Sequence, residues 1–193
     1  MLNQKQFCDR VVRELREIGK QVQSLATDRD LYRKLEADVI AANLQLVTSN
    51  SAFIAMMRGA YADATAMRLR RLFAPDANLS LRRILGQFPD YPELLHDKLT
   101  GKELADDVAE MDQLGALLKE TIDPHFLANE RTFAALATVN RLLDRSIDFL
   151  MDCVRRYYWI VCDSYIDVDA SHPEDPLAIF RFAWIETKEA AKR

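Results

Sequence analysis

The sequence predicts an all-α fold, an antiparallel bundle of four to five long helices with short helical decorations. Three observations carry that expectation. Apolar side chains recur at three- and four-residue steps along most of the chain, which is the period of one helix face. Only five glycines and six prolines occur in 193 residues, too few for the many turns of a β-rich fold. The stretch Phe53 to Phe73, FIAMMRGAYADATAMRLRRLF, is rich in Ala, Met, Leu and Arg, all strong helix formers, and reads as the central helix. Its expected buried stripe is Phe53, Met57, Ala60, Tyr61, Ala64, Met67 and Leu72.

The first helix spans about residues 3 to 26. Phe7, Val11, Leu15, Ile18, Val22 and Leu25 run along it, heptad-like from Val11 on, a seam that suits an antiparallel pairing or a dimer contact equally well. Asp28 is placed to cap a second helix with Leu31, Leu35, Val39, Ala42 and Leu46 on one face. Thr48 to Ser51 make a turn before the central helix, and Pro75 closes that helix. Ser80 caps a short helix, LRRILGQF, that Gly86 and Pro89 end. Thr100 and Glu103 form a capping box for a helix running through Leu104, Val108, Met111, Leu114, Leu117 and Leu118 to about Thr121. After an irregular DPHFLANER, the longest helix covers about 132 to 163. Its apolar register is Leu136, Val139, Leu143, Ile147, Leu150, Val154, Tyr157 and Val161. The whole is one domain, 1–193, with its core at about 28–163. Residues 164–186 form a C-terminal packing segment that includes the VDASHPEDP loop and LAIFRFAWIE, and 187–193 a frayed tail.

Composition narrows function mainly by exclusion. A net charge of −4 and an isoelectric point near 5.5 give no overall pull toward nucleic acid, although a local basic face is compatible with that average. No apolar run reaches the roughly 20 residues of a membrane span, and the N-terminus has no signal-peptide core, so the expectation is a cytoplasmic protein with no membrane partner. Cys8, Cys153 and Cys162 form no CxxC pair and read as reduced, packed thiols. His96, His125 and His172 lie far apart, so no metal and no cofactor are implied. No nucleophile elbow and no Gly-rich phosphate loop occurs.

The polar minority of the central helix is the sharper clue. Arg58, Arg68, Arg70 and Arg71 on one helix need partners, either carboxylates within the bundle or a phosphate-bearing ligand. Arg58, Arg70 and Arg71 are therefore the candidate RNA- or phosphate-binding residues, to be joined by Lys119 and His125 if their helices adjoin. The acids Asp106, Asp107, Glu110 and Asp112 read as a solvated face, with a paired-carboxylate site as the alternative. Tyr157, Tyr158 and Trp159 beside Arg155 and Arg156 suit core or dimer packing, or base stacking as in single-strand binders.

Four strings in order, RGAYADATAMRLRRLF, TIDPHFLANE, NRLLDRSIDFLMDCVRRYY and FRFAW, make the chain from about residue 50 onward resemble the HEPN superfamily, in particular its abortive-infection AbiU-type branch. The resemblance implies an all-α homodimer of the phage-defence or toxin–antitoxin type, with RNA, a nucleotide, an antitoxin or another protein as partner. In active members, an Arg holds the scissile phosphate and a His, after four to six intervening residues, moves the proton, without metal. This chain departs from that motif. Asn129 stands where the family would have His, and Ile122, Asp123 and Pro124 fill the window of the Arg. The nearest substitute catalytic pair is Lys119 with His125, in which Lys neutralises a phosphate but does not fork onto it. The expected function is thus binding with a degenerate ribonuclease site. An active metal-independent endoribonuclease using Lys119 and His125, and a purely structural bundle assembling through the first-helix seam, are the alternatives.

Overall fold

The computed structural model describes residues 4–40, 52–94, 98–121 and 133–171. Five α-helices account for most of them, and no strand occurs among them. Helix α1 spans Gln4–Lys34 and runs into a π-helical turn, Leu35–Ile40. Helix α2 spans Ala52–Phe73, α3 Leu81–Leu85, α4 Gly101–Thr121 and α5 Phe133–Cys162. Two 3-10 turns, Phe88–Asp90 and Pro92–Leu94, link α3 toward α4.

The seam of α1 is buried along its length: Phe7, Val11, Leu15, Ile18, Val22 and Leu25 are all fully enclosed. It packs chiefly on α5, so this seam is closed within the chain and the core reaches well before residue 28. The pairing is antiparallel. Arg16 donates to the Tyr158 hydroxyl at 2.9 Å near one end, and Arg33 to Asp144 at 2.9 Å near the other. Helix α2 runs antiparallel to α1 as well, with the Tyr32 and Tyr61 rings stacked at 4.0 Å. Burial, followed by the nearby Asp144 carboxylate, pushes the Tyr61 phenol up to about 12.

Two boundaries differ from the sequence expectation. Asp28 starts no new helix. It lies within α1, where Arg68 of α2 donates to its carboxylate. The polar run after residue 26 faces partners across the bundle: Arg29 and Arg33 meet Asp148 and Asp144 of α5. The buried stripe of α2 is also turned from the one expected. Ile54, Ala62, Ala66, Leu69, Leu72 and Phe73 face the core, while Met67 is 71% exposed and Ala60 and Ala64 are exposed. Helix α2 carries apolar residues most of the way round, so its period admits two stripes. The side that also carries Gly59 and Thr65 is the one that neighbouring helices cover.

The caps follow the sequence. The Ser80 hydroxyl accepts from the Arg83 amide at 3.3 Å and donates to the Leu72 carbonyl at 3.0 Å, which ties the start of α3 to the end of α2. At α4 the Glu103 amide donates to Thr100 Oγ1 at 3.2 Å, while the Glu103 carboxylate accepts from the Thr100 amide at 2.7 Å. The Thr100 amide, and then the Thr100 hydroxyl donating to the same carboxylate at 2.8 Å, hold the Glu103 carboxyl below its ordinary range. Helix α5 ends at Asp163, whose positive φ of 49° turns the chain out. Residues 164–171 then cross back over α1, with Val168 fully buried and Ile166 beside Gly19. A Cβ at Gly19 would stand 2.7 Å from Ile166 Cδ1, so the glycine lets this strap lie close. The capping turn 48–51, LAIFRFAWIE and the tail lie outside the described residues.

Candidate anion-binding hollow

Most arginines among the described residues have a carboxylate partner. Arg58 places its guanidinium fork on Glu36 of the π turn, at 2.7 and 2.6 Å. Arg68 goes to Asp28, Arg83 to Glu14, Arg145 to Glu110 and Arg155 to Asp169. The fork of Arg58 on a carboxylate answers its need for a partner, and it stands about 18 Å along the helix axis from Arg70 at 1.5 Å per residue. Arg58 is therefore no part of a site with Arg70. Burial of these pairs is incomplete, so each contributes modestly to stability, about 0–1 kcal/mol.

The acidic face of α4 is a correction of the same kind. Asp107 is only 8% exposed. It accepts from the Tyr157 hydroxyl at 2.7 Å and from Arg156 Nη1 at 2.9 Å. Glu110 meets Arg145, and Asp112 meets Arg82. Three of the four acids are thus cross-helix partners rather than a solvated face. Tyr157 and Tyr158 are buried, and Trp159 stands under Lys98 at 5.0 Å, so the aromatic run at the end of α5 is mainly core. Burial first, then the hydrogen bond to Asp107, pushes the Tyr157 phenol up, and burial does the same for the Cys153 thiol.

Arg70 and Lys119 break the pattern. Both are exposed, and neither is ion-paired with a described residue. They line the same hollow of about 250 Å³, between the C-terminal ends of α2 and α4. Its enclosed wall is Phe73 and Met111, with Pro75, Gly115 and Ala116 around it. Helical spacing explains the arrangement. Asp112, Gly115, Ala116 and Lys119 follow at steps of three and four, so α4 presents them on one side. The small residues in the middle leave the space. A Cβ on Gly115 would reach 3.6 Å from Phe73 Cβ, and a longer side chain would occupy the hollow.

Basic residues in a last helical turn offset the partial negative charge of the free carbonyls, so one cation at each helix end needs no ligand to explain it. What exceeds that explanation is the convergence of two such cations, from two helices, on one concavity. Asp112 also lines it, but Arg82 donates both Nε and Nη2 to its two carboxylate oxygens, at 2.8 and 3.1 Å. Arg70 and Lys119 are then the charged lining residues with no ion pair among the described residues. An arginine and a lysine on the lining of a largely apolar hollow suit a phosphate with an attached ring system.

Of the sequence candidates, Arg70 and Lys119 are brought together. Arg71 is exposed but does not line the hollow, and Arg58 is at the far end of α2. His125 and Asn129 lie outside the described residues. Asp112, expected on a solvated face, is the lining residue whose place in the site was not foreseen. The signal available for Asp112 was its seven-residue spacing from Lys119, with Gly115 and Ala116 between. Among the described residues, no group of three or more His, Cys, Asp or Glu is placed to hold a metal ion, and no helix is long and apolar enough to cross a membrane. Comparison with family models, curated proteins and solved structures finds no match to this chain.

Proposed function

We propose that this chain is a HEPN-like helical protein of the phage-defence or toxin–antitoxin type that binds a phosphate-bearing ligand, RNA or a nucleotide, without turning it over. The observation that carries the reading is the hollow shared by Arg70 and Lys119, two cations with no carboxylate partner among the described residues, where most described arginines have one. Asn129 in place of the family's His, and the lack of an Arg ahead of it, support binding without cleavage. The reading includes a cytoplasmic location and assembly as a homodimer or with an antitoxin-like protein.

Fluorescence anisotropy with a short single-stranded RNA across a salt series tests it. Log affinity should fall linearly with log salt, by about 0.7 per phosphate contact. Arg70→Gln and Lys119→Gln should each weaken binding several-fold and flatten the slope by roughly one contact. An affinity that neither substitution changes would remove the hollow from the reading. With EDTA present, neither the wild type nor His125→Ala should cleave the RNA. Cleavage that disappears in His125→Ala would replace this reading with an active ribonuclease.

A further inference from the structure

We infer that the hollow takes a terminal phosphomonoester, the phosphate end of an RNA or a free nucleoside monophosphate, rather than an internal phosphodiester. The inference also assigns Arg82 the task of keeping Asp112 from cancelling the site. It rests on the phosphate-binding reading above and names the ligand more closely.

Charge is the first argument. Arg70 and Lys119 line the hollow with no ion pair among the described residues, and the Arg82–Asp112 pair adds no net charge. A phosphomonoester carries up to two negative charges near neutral pH, its second proton leaving near pH 6, whereas each diester along a strand carries one. The monoester therefore matches the site and the diester leaves a cation unanswered. Size is the second. About 250 Å³ lies below the range of pockets that enclose whole drug-sized ligands, so the hollow suits the end of a molecule. Pro75 and Ala116, both exposed on the lining, give the adjoining sugar or base an apolar surface.

Arg82 acts through Asp112. The Asp112 side chain is half exposed, and Lys119 lies two helical turns along the same face of α4. With Arg82 present, both Asp112 oxygens are held by its fork. Without it, the carboxylate is left on the wall of a site whose ligand is an anion, where it repels the phosphate and attracts the two cations. Arg82 is itself positioned. Its helix starts at the Ser80 cap, and Gly86 leaves it room, since a Cβ there would stand 3.3 Å from Arg82 Nη1. Arg82 is a positioning residue and does not touch the ligand.

The test compares two fluorescein-labelled RNA hexamers, alike except for a 5′-phosphate or a 5′-hydroxyl, with AMP and adenosine as competitors. The wild type should bind the phosphorylated hexamer about tenfold more tightly, and AMP but not adenosine should displace it. AMP acting at concentrations near those of the hexamer identifies a mononucleotide site, and a large excess requirement identifies an RNA end. Either result supports the phosphomonoester. Arg82→Gln should cut the tenfold preference to about threefold or less, Asp112→Asn should raise it, and the Arg82→Gln/Asp112→Asn double variant should return to within about twofold of wild type. The rescue separates positioning from damage to the fold. Equal binding of the two hexamers, still salt-dependent and still lost in Arg70→Gln, overturns this inference and leaves the phosphate-binding reading standing. A double variant as weak as Arg82→Gln overturns the role given to Arg82. No binding of either hexamer or of AMP by the wild type overturns the phosphate-binding reading itself.

Discussion

Phe7→Ala should cost about 3–5 kcal/mol of stability, the range for removing a fully buried aromatic ring. Phe7 is enclosed on every side. Its ring stacks on Tyr91 at a centroid distance of 3.8 Å and an angle of 17°, and meets Phe88 edge-on at 6.0 Å. The Arg10 guanidinium covers the ring at 5.2 Å. These contacts fasten the start of α1 to the two 3-10 turns, so the substitution opens a cavity and also frees the link between α3 and α4. Urea or thermal unfolding reads the effect directly, with the melting temperature falling roughly 2–4 °C per kcal/mol for a chain of this length. A loss below about 1 kcal/mol would mean that this end of the bundle is not packed as described.

Asp107→Ala should be the second-largest loss, about 2–4 kcal/mol. Tyr157 is fully buried and its hydroxyl donates to Asp107, so alanine leaves that hydroxyl without its acceptor inside the core. Arg156 loses the same carboxylate but is partly exposed and reaches water, so its share of the loss is smaller. Asp107→Asn keeps an acceptor oxygen for Tyr157 and should cost about half as much or less. Tyr157→Phe removes donor and demand together and should cost about 0.5–1.5 kcal/mol. In the background of Tyr157→Phe, Asp107→Ala should therefore hurt less than in wild type. Additive losses in that double-mutant cycle would contradict the pairing.

How far the chain could be read in advance depended on how uniquely each pattern resolved. The α1 and α5 registers were legible because polar and apolar residues alternate with one helical solution, and Phe7 to Leu25 and Val139 to Tyr157 are buried as that solution requires. The Ser80 cap and the Thr100–Glu103 box were legible because they are local, each needing only a few residues at fixed spacing. The stripe of α2 was not, because Met57, Ala60, Ala64 and Met67 make as good a three-four pattern as Ala62, Ala66, Leu69 and Phe73, and only the neighbouring helices choose between them. Asp28 and Asp107 misled for a shared reason. An acid in a polar run looks like a cap or a solvated face until the cation that meets it, Arg68 or Arg156, arrives from a distant part of the chain. The same limit applied to the site. Arg70 and Lys119 stood out by residue type, but their sharing of one hollow, and the restraint of Asp112 by Arg82, are properties of the packed bundle.

The most direct test of the central claim is to map where the ligand sits. In amide proton–nitrogen spectra of the protein titrated with a 5′-phosphorylated RNA hexamer, the largest shifts should fall on Arg70, Phe73, Gly115 and Lys119, at the paired ends of α2 and α4. Shifts concentrated around Arg58 and Glu36 or along the α1–α5 face, or spectra that do not change at all, would contradict it.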